Sequence, residues 1–472
     1  MEEKKWVDES LNGDLSPRYT LSSSFIVRCD PNYRDKYLLF NISNGDKFRL
    51  SNIAFAILKL LDYNVLNFNE IKKYLINLND ELEVGALEQV FTEMARANFL
   101  TKSENLLTTS EVESNITKFD NLNIPVTSSP YEIELHPTKG CNLKCKHCAY
   151  DSGTKLPNEL ELGSWYELLD ELERLRVLRL IISGGEPLVY TRAKELFNFL
   201  RSKRIRVDLL TNGTLIDQEL AQILSSSNIC TTISLDGAKE PTHNQLRGSN
   251  CFYKVLNGLN LLAKTRGNFG ISTVVNKQNI GEMEDIVKIG IELGARSVGF
   301  ILIDPIGRAK YAKDYLLTNK DIVIVSSQVK VLQERYNEKL QVEYLDPSIP
   351  NYKDLDISKE YDLIYCTAGT TRMAIRSDGA VFPCVYAFHD DKFLIGNIIS
   401  ETAKEIWAKP KWMTFRGMIR LKDLHICRRC ELSRACTLKI CRLRAYYQTQ
   451  DLFAPPSNCP QINIRESVVV RQ

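Results

Sequence analysis

Cys141-Asn142-Leu143-Lys144-Cys145-Lys146-His147-Cys148 places three thiols within one short run. Cys thiolates are the ordinary ligands of iron–sulfur clusters, and a four-iron cluster held by three of them keeps one iron free of protein ligands. Structural metal sites are closed by the protein, whereas reactive ones keep a position open, so the run points to a centre that binds and activates a small molecule. A Cys₃His zinc site using His147 is the competing reading of the same residues. The preceding Tyr131-Glu132-Ile133-Glu134-Leu135-His136 alternates like a strand, and Pro137 and Gly140 break it into a loop.

Downstream, the apolar run Leu178-Arg179-Leu180-Ile181-Ile182-Ser183 leads into Gly184-Gly185-Glu186-Pro187. Two glycines at a strand end let a ligand approach the backbone closely. A second strand end, Ile233-Ser234-Leu235-Asp236-Gly237, is followed by His243-Asn244-Gln245-Leu246-Arg247-Gly248. In this order the three motifs resemble those of radical S-adenosylmethionine (SAM) enzymes. The resemblance implies a [4Fe–4S] cluster on Cys141, Cys145 and Cys148, with SAM chelating its open iron. Gly184, Gly185, Glu186 and Pro187 would then meet the methionine end of SAM, and Ser234 and Asp236 its ribose.

Composition agrees with a large enzyme of two or three domains: 472 residues, 44% hydrophobic, formal charge +2. That charge argues against a globally basic nucleic-acid binder. Neither a run of about eighteen apolar residues nor an apolar signal region behind Met1-Glu2-Glu3-Lys4-Lys5 occurs, so a cytoplasmic chain with no membrane span is expected. Thirteen cysteines in a reducing compartment point to metal rather than disulfides.

Residues 18–103 read as a separate domain. A strand at Phe25-Ile26-Val27 and a hairpin turning at Asn44-Gly45 in a type I′ turn precede three helices. Ser51 is expected to cap the first and Asn69 the second, while Leu87, Val90, Phe91 and Met94 form the apolar stripe of the third. A hairpin followed by short helices resembles the winged-helix-like, PqqD-like recognition element that grips leader peptides. A helical cap and a DNA-binding winged helix are alternatives. Glu83, Glu88 and Glu93 against Arg96 make a poor phosphate footprint on the third helix.

Residues 104–130, rich in Ser, Thr and Asn, read as a linker. From 131 to 320, strands near 131, 178, 205, 230, 269 and 297 alternate with helices near 162, 191, 217, 252 and 282. The expected fold is therefore α/β, with parallel strands joined by right-handed crossovers. By the resemblance it is a partial (β/α)6 radical SAM barrel with the motifs at the C-terminal strand ends. The segment from Phe300 to Ala309 resembles the end of its sixth strand. A bridge, 321–360, carries a helical pattern up to about 340.

A second cysteine field fills 361–465: Cys366, Cys384, Cys427, Cys430, Cys436, Cys441 and Cys459. Its order and the Gly379 position resemble the SPASM domain, which carries two auxiliary four-iron clusters. By that resemblance Cys427, Cys430, Cys436 and Cys459 close one cluster, while Cys366, Cys384 and Cys441 hold the other and leave an iron open for a substrate thiolate. Thr437-Leu438-Lys439-Ile440 lengthens by one residue the spacing the family usually has before Cys441. Two Cys₄-type zinc sites are the competing reading, and Cys29, Cys230 and Cys251 read as core or surface thiols. The basic run from Arg416 to Arg444 is expected to offset the charge of the anionic clusters rather than to bind RNA.

The whole arrangement resembles maturases of ribosomally made peptides. It implies SAM and three [4Fe–4S] clusters as cofactors, a leader-bearing precursor peptide as partner, and an electron donor such as flavodoxin or ferredoxin. The reaction implied is thioether closure between a Cys sulfur and a carbon radical, of the sactipeptide type. Carbon–carbon crosslinking, decarboxylation, epimerisation and formylglycine formation in a sulfatase are rival chemistries, and a zinc-dependent, non-catalytic peptide-binding protein is the rival class.

Overall fold

The computed structural model describes residues 17–30, 36–62, 64–78, 83–102, 127–345, 366–416, 419–434, 441–455 and 459. Cys436, the spacer 437–440, most of the expected linker and the turn region of the bridge lie outside them. The chain divides into two compact units, Met1–Ile116 and Thr117–Gln472.

The first unit contains β1 (Arg18–Leu21), β2 (Phe25–Cys29), β3 (Tyr37–Asn41), β4 (Lys47–Arg49), α1 (Asn52–Leu61), β5 (Leu66–Asn67), α2 (Phe68–Leu78), α3 (Val84–Arg96) and β6 (Leu100–Lys102). The antiparallel sheet β2-β3-β4 is the expected hairpin with one more strand before it, and a second sheet, β5-β1-β6, ties the start of the unit to its end. Val27, Leu39, Ile57, Leu58, Leu61, Ile71 and Leu87 form its core, each contributing about 1.5–3 kcal/mol by leaving water.

Ser51 caps α1 as expected, its Oγ accepting from Ala54 N at 3.2 Å. The cap of α2 is Asn67 rather than Asn69. Asn67 Oδ1 accepts from Glu70 N at 2.9 Å, and Glu70 Oε2 accepts from Asn67 N at 2.8 Å. This reciprocal box satisfies two terminal amides at once, which starts the helix at Phe68. The turn also differs from expectation. Only Gly45 in the loop is left-handed, at φ 84°, whereas type I′ needs two such residues. Asn41 and Asn44 accept from the amides of Ser43 and Asp46 at 2.9 and 3.0 Å, local bonds that widen the loop to five residues.

In the second unit, six parallel strands appear where expected: β7 (Glu132–Leu135), β8 (Arg179–Ile182), β9 (Arg206–Thr211), β10 (Ile229–Ser234), β11 (Phe269–Val275) and β12 (Ser297–Leu302). Between them run α4 (Leu162–Arg174), α5 (Ala193–Arg201), α6 (Gln218–Leu224), the additional α7 (Glu240–Arg247), α8 (Phe252–Lys264) and α9 (Met283–Leu293). α10 (Asn319–Tyr336) then leads to a seventh parallel strand, β13 (Gln341–Leu345). On the other side, β14 (Arg372–Ile375) pairs parallel with β7 and continues antiparallel into β15 (Ala380–Phe382) and β16 (Gly396–Asn397). One open sheet of ten strands results, followed by α11 (Ala403–Ala408) and α12 (Arg442–Thr449).

Strand side chains alternate between faces. Ile133, Leu135, Leu180, Ile182, Val207, Leu209, Val298 and Phe300 join the main apolar core with Trp165 and Phe197 of the helices. The opposite face therefore carries Glu134, Asp208, Thr232, Ser234 and Ser272, a polar surface on which the loops at the C-terminal strand ends converge.

Candidate active site

The cysteine loop leaves β7 and is held by backbone from its neighbours. Cys141 N donates to Gly153 O at 2.9 Å, Glu186 N to Gly140 O at 2.9 Å, Lys146 N to Leu246 O at 3.0 Å and Arg308 N to Cys148 O at 2.9 Å. Arg308 adds its guanidinium, with Nε at 3.1 Å from Cys145 O and Nη1 at 2.6 Å from Ser152 O. Glycine is required where these segments touch. A Cβ on Gly185 would overlap the backbone of Gly140, and one on Gly307 would stand 2.6 Å from Cys148 O.

Cys141, Cys145 and Cys148 pack around Leu143 and Cys251. Burial pushes the Cys141 thiol up to about 11 and raises that of Cys145. As free thiols they hold their protons; a cationic iron core reverses that by binding the thiolates. Three soft donors on a partly buried loop, with Arg247 Nη1 at 3.8 Å from Cys145 Sγ, fit an anionic iron–sulfur cluster. Among the described residues, no group of three His, Cys, Asp or Glu side chains stands set to hold a metal ion, so the fit rests on donor type, burial and the facing cation.

The glycine-rich strand end presents backbone, not a carboxylate. Glu186 is buried, and its Oε1 accepts from Thr211 Oγ1 at 2.6 Å and Leu188 N at 3.1 Å while Oε2 accepts from Asn212 N at 2.7 Å. Burial raises its pKa, and these bonds strap the end of β8 to the end of β9. Gly184 has φ 127°, and a Cβ there would lie 2.7 Å from Thr138 O. Pro187 starts the short helical turn that follows.

Asp236 lies fully buried beyond β10. Its Oδ2 is 2.6 Å from Arg247 Nε and 3.7 Å from His147 Nε2, and Oδ1 accepts from Val274 N at 2.9 Å. Burial raises its pKa, but Arg247 and the two neighbouring imidazoles outweigh it and leave the carboxyl below the usual range. Burial lowers His147 to about 4, so its ring is neutral, and its Nδ1 is buried without a hydrogen-bond partner among the described residues. Ser234 lies half-buried on the polar face. Sequence reasoning quoted Arg247 and Arg308 only within motif segments, read Cys251 as a core or surface thiol, which its burial bears out, and missed Asn212. Asn212 Nδ2 donates to Asn142 Oδ1 at 2.8 Å, and the spacing of Arg247 from Gly248 at a helix end was the readable signal for its segment.

Cys366, Cys384 and Cys441 form a second group of half-buried thiols; Cys441 and Cys366 raise the pKa of Cys384, and Cys366 that of Cys441, with desolvation the larger cause in both, taking Cys441 up to about 12. Cys427 is buried and Cys430 half-buried at the ends of one short helical turn, and Cys459 is buried. The basic run divides by role. Arg416 stacks on Trp407 and Trp412 and donates to Gly369 O and Trp407 O at 2.5 and 2.7 Å, with burial lowering it to about 9. It staples the core at these contacts. Arg444 pairs with Asp304 at 3.0 Å.

A profile of the Radical SAM superfamily matches residues 135–289, and one for the SPASM iron-sulfur cluster-binding domain matches 366–431. The chain is a radical SAM enzyme with a SPASM domain. SAM and [4Fe–4S] clusters are accordingly its cofactors. Among relatives, the AdoMet-dependent heme synthase of Methanosarcina barkeri is 29% identical over 357 residues, covering 71% of this chain and 98% of its own. The mycofactocin maturase MftC of Mycobacterium ulcerans is 28% identical over 337 residues, 71% of this chain and 88% of its own. The structure of Streptococcus suis SuiB bound to precursor peptide SuiA shares the fold at TM-score 0.69 and 19% identity, over 93% of this chain and 99% of that one. That span takes in more of the enzyme than its second unit alone.

Gly185→Ala tests the seat of the loop. The added methyl meets backbone that cannot rotate away, and overpacking of this kind costs about 1–3 kcal/mol or more. SAM cleavage is expected to fall by about ten-fold or more, at about 1.4 kcal/mol per ten-fold, with iron in the SPASM domain retained. Unchanged cleavage would show that the loop shifts freely.

Proposed function

We propose that the enzyme matures a ribosomally made precursor peptide by closing thioethers between a cysteine sulfur and a carbon of that peptide. The observation that carries this reading is the grouping of Cys366, Cys384 and Cys441 apart from the loop thiols. In this reading Cys141, Cys145 and Cys148 would hold the SAM-cleaving cluster, Cys427, Cys430, Cys436 and Cys459 a second, and Cys366, Cys384 and Cys441 a third, which with only three protein thiolates would leave room for a substrate thiolate. Bound there, the clusters and SAM supply a 5′-deoxyadenosyl radical to abstract hydrogen and an acceptor for the electron that closure releases.

The chain's own residues present and orient. The strapped Glu186 holds the Gly184–Gly185 backbone toward the methionine end of SAM, and Pro187 fixes its exit. Asp236, locked by Arg247, serves as a brace, which leaves the Ser234 hydroxyl to take the ribose. The N-terminal unit, a PqqD-like element in this reading, binds the leader; an exposed hairpin edge can take up an extended peptide. A flavodoxin or ferredoxin is the electron donor, and neither nucleic acid nor a membrane is a partner. Among the described residues, no helix is long and apolar enough to cross a membrane.

The product decides the chemistry. A precursor treated with the enzyme is expected to lose one pair of hydrogens per crosslink and to have its cysteine resist alkylation. An epimerised peptide would keep its mass and take deuterium from heavy water, and a carbon–carbon crosslinked one would keep every cysteine alkylatable. High-resolution mass spectrometry with and without an alkylating agent separates the three, and a product with free thiols overturns the thioether reading. The heme synthase relative, covered over nearly its whole length, favours a second reading in which the substrate is a tetrapyrrole. SAM turnover stimulated by such a compound and not by any precursor would select it.

A further inference from the structure

Arg442 is the first residue of α12, directly after Cys441, and it is 4% exposed. Its Nη1 donates to Leu452 O and Ala454 O at 3.0 and 2.9 Å, which fixes the guanidinium against the chain that runs on to Cys459. Nε and Nη2 are buried with no hydrogen-bond partner among the described residues. The charges that act on it most are the thiols of Cys427, Cys441 and Cys366, with Asp451 weaker. Cys427 belongs to one proposed auxiliary set and the other two cysteines to the second. Neighbouring buried arginines differ. Arg372 is paired with Glu132 and Glu134, and Arg444 with Asp304.

A buried guanidinium without a carboxylate is expensive unless an anion compensates it. Arginine stays charged in proteins, and thiolate-ligated clusters are anionic with potentials set by nearby charge and by hydrogen bonds to sulfur. We propose that Arg442 is a positioning residue shared by the two auxiliary clusters, its two unsatisfied nitrogens, Nε and Nη2, aimed at their sulfur ligands and its charge raising the reduction potential of both. The inference rests on the two-cluster reading of the SPASM cysteines. Its consequence for the reaction is an electron acceptor whose two halves are tuned by one cation, so that an electron reaching one is not trapped there by a large mismatch with the other.

The test is an EPR-monitored redox titration of the full-length, anaerobically reconstituted enzyme, with iron quantified in parallel. In Arg442→Gln both auxiliary clusters are expected to become harder to reduce, by ten-fold or more in the reduction equilibrium, which for one electron is about 59 mV. The SAM-cleaving cluster is expected to be unmoved. Movement of only one auxiliary cluster, or of neither, overturns the inference. Should Arg442→Gln lose auxiliary iron, Arg442→Lys decides: it keeps the charge, so both auxiliary clusters are expected to return with potentials near those of the unsubstituted enzyme, and continued loss of either cluster, or a ten-fold fall in the reduction equilibrium of either, overturns the inference. Iron for only a single cluster in the unsubstituted enzyme would instead sink the two-cluster reading itself, and the inference with it.

Discussion

Replacing Cys141, Cys145 and Cys148 together by Ala is expected to abolish deoxyadenosine formation while leaving auxiliary-cluster absorption in place. The loop is held by bonds that the substitution does not touch: the backbone pairs to Gly153, Glu186, Leu246 and Arg308, and the Arg308 guanidinium. Each substitution removes one sulfur at a cost on the order of 1 kcal/mol, so the chain is expected to fold. What disappears is the donor set. No other three cysteines share that loop, and the nearest further thiol, Cys251, packs beneath it with His243 at 3.4 Å. Chromatographic quantification of deoxyadenosine under reducing conditions measures the effect, and normal production in the triple variant would sink the assignment of SAM cleavage to this loop.

Deleting residues 1–105 is expected to separate SAM cleavage from peptide modification. The first unit has its own core and closes on itself through β1 and β6. The second unit begins its described structure at Thr127, whose amide and hydroxyl both donate to Thr370 O, at 3.1 and 3.0 Å, so the cut spares it. Uncoupled cleavage is expected to stay near its full rate. Modification of a leader-bearing peptide is expected to drop on the order of a hundred-fold at low peptide concentration, the usual scale of a lost second attachment. Equal processing of full-length and core-only peptide by the intact enzyme would show that the N-terminal unit grips no leader.

Strands β7 to β12 were legible from their apolar runs, which in all but β11 end within three residues at glycine or proline, and the three motifs because each lies at such an end. The rest was hidden for identifiable reasons. The cap at Asn67 competes with Asn69 two residues on, and only the reciprocal bond with Glu70 decides between them. β13 is separated from the end of α10 by only four residues, inside a bridge whose helical pattern runs up to it. The pairing of Asp236 with Arg247 joins the end of one strand to a helix that the alternating pattern did not predict, and the lodging of Arg416 between Trp407 and Trp412 needs tertiary packing to be seen. A basic residue in sequence says little about which anion, ring or carbonyl receives it.

β14 lies beside β7, and Arg372 reaches Glu134 across 238 residues of chain. On the ribosome, β7 finds β8 early, but its other edge waits until most of the second unit has been made. At about 5–20 residues per second that interval is roughly 10–50 s. Glu132 and Glu134 are the protection available meanwhile, since two inward carboxylates make a poor template for a stray strand. When Arg372 arrives it brings a cation to both, at 3.3 and 2.6 Å. A nascent or prematurely ended chain therefore carries its three-cysteine loop on a strand with one unpaired edge.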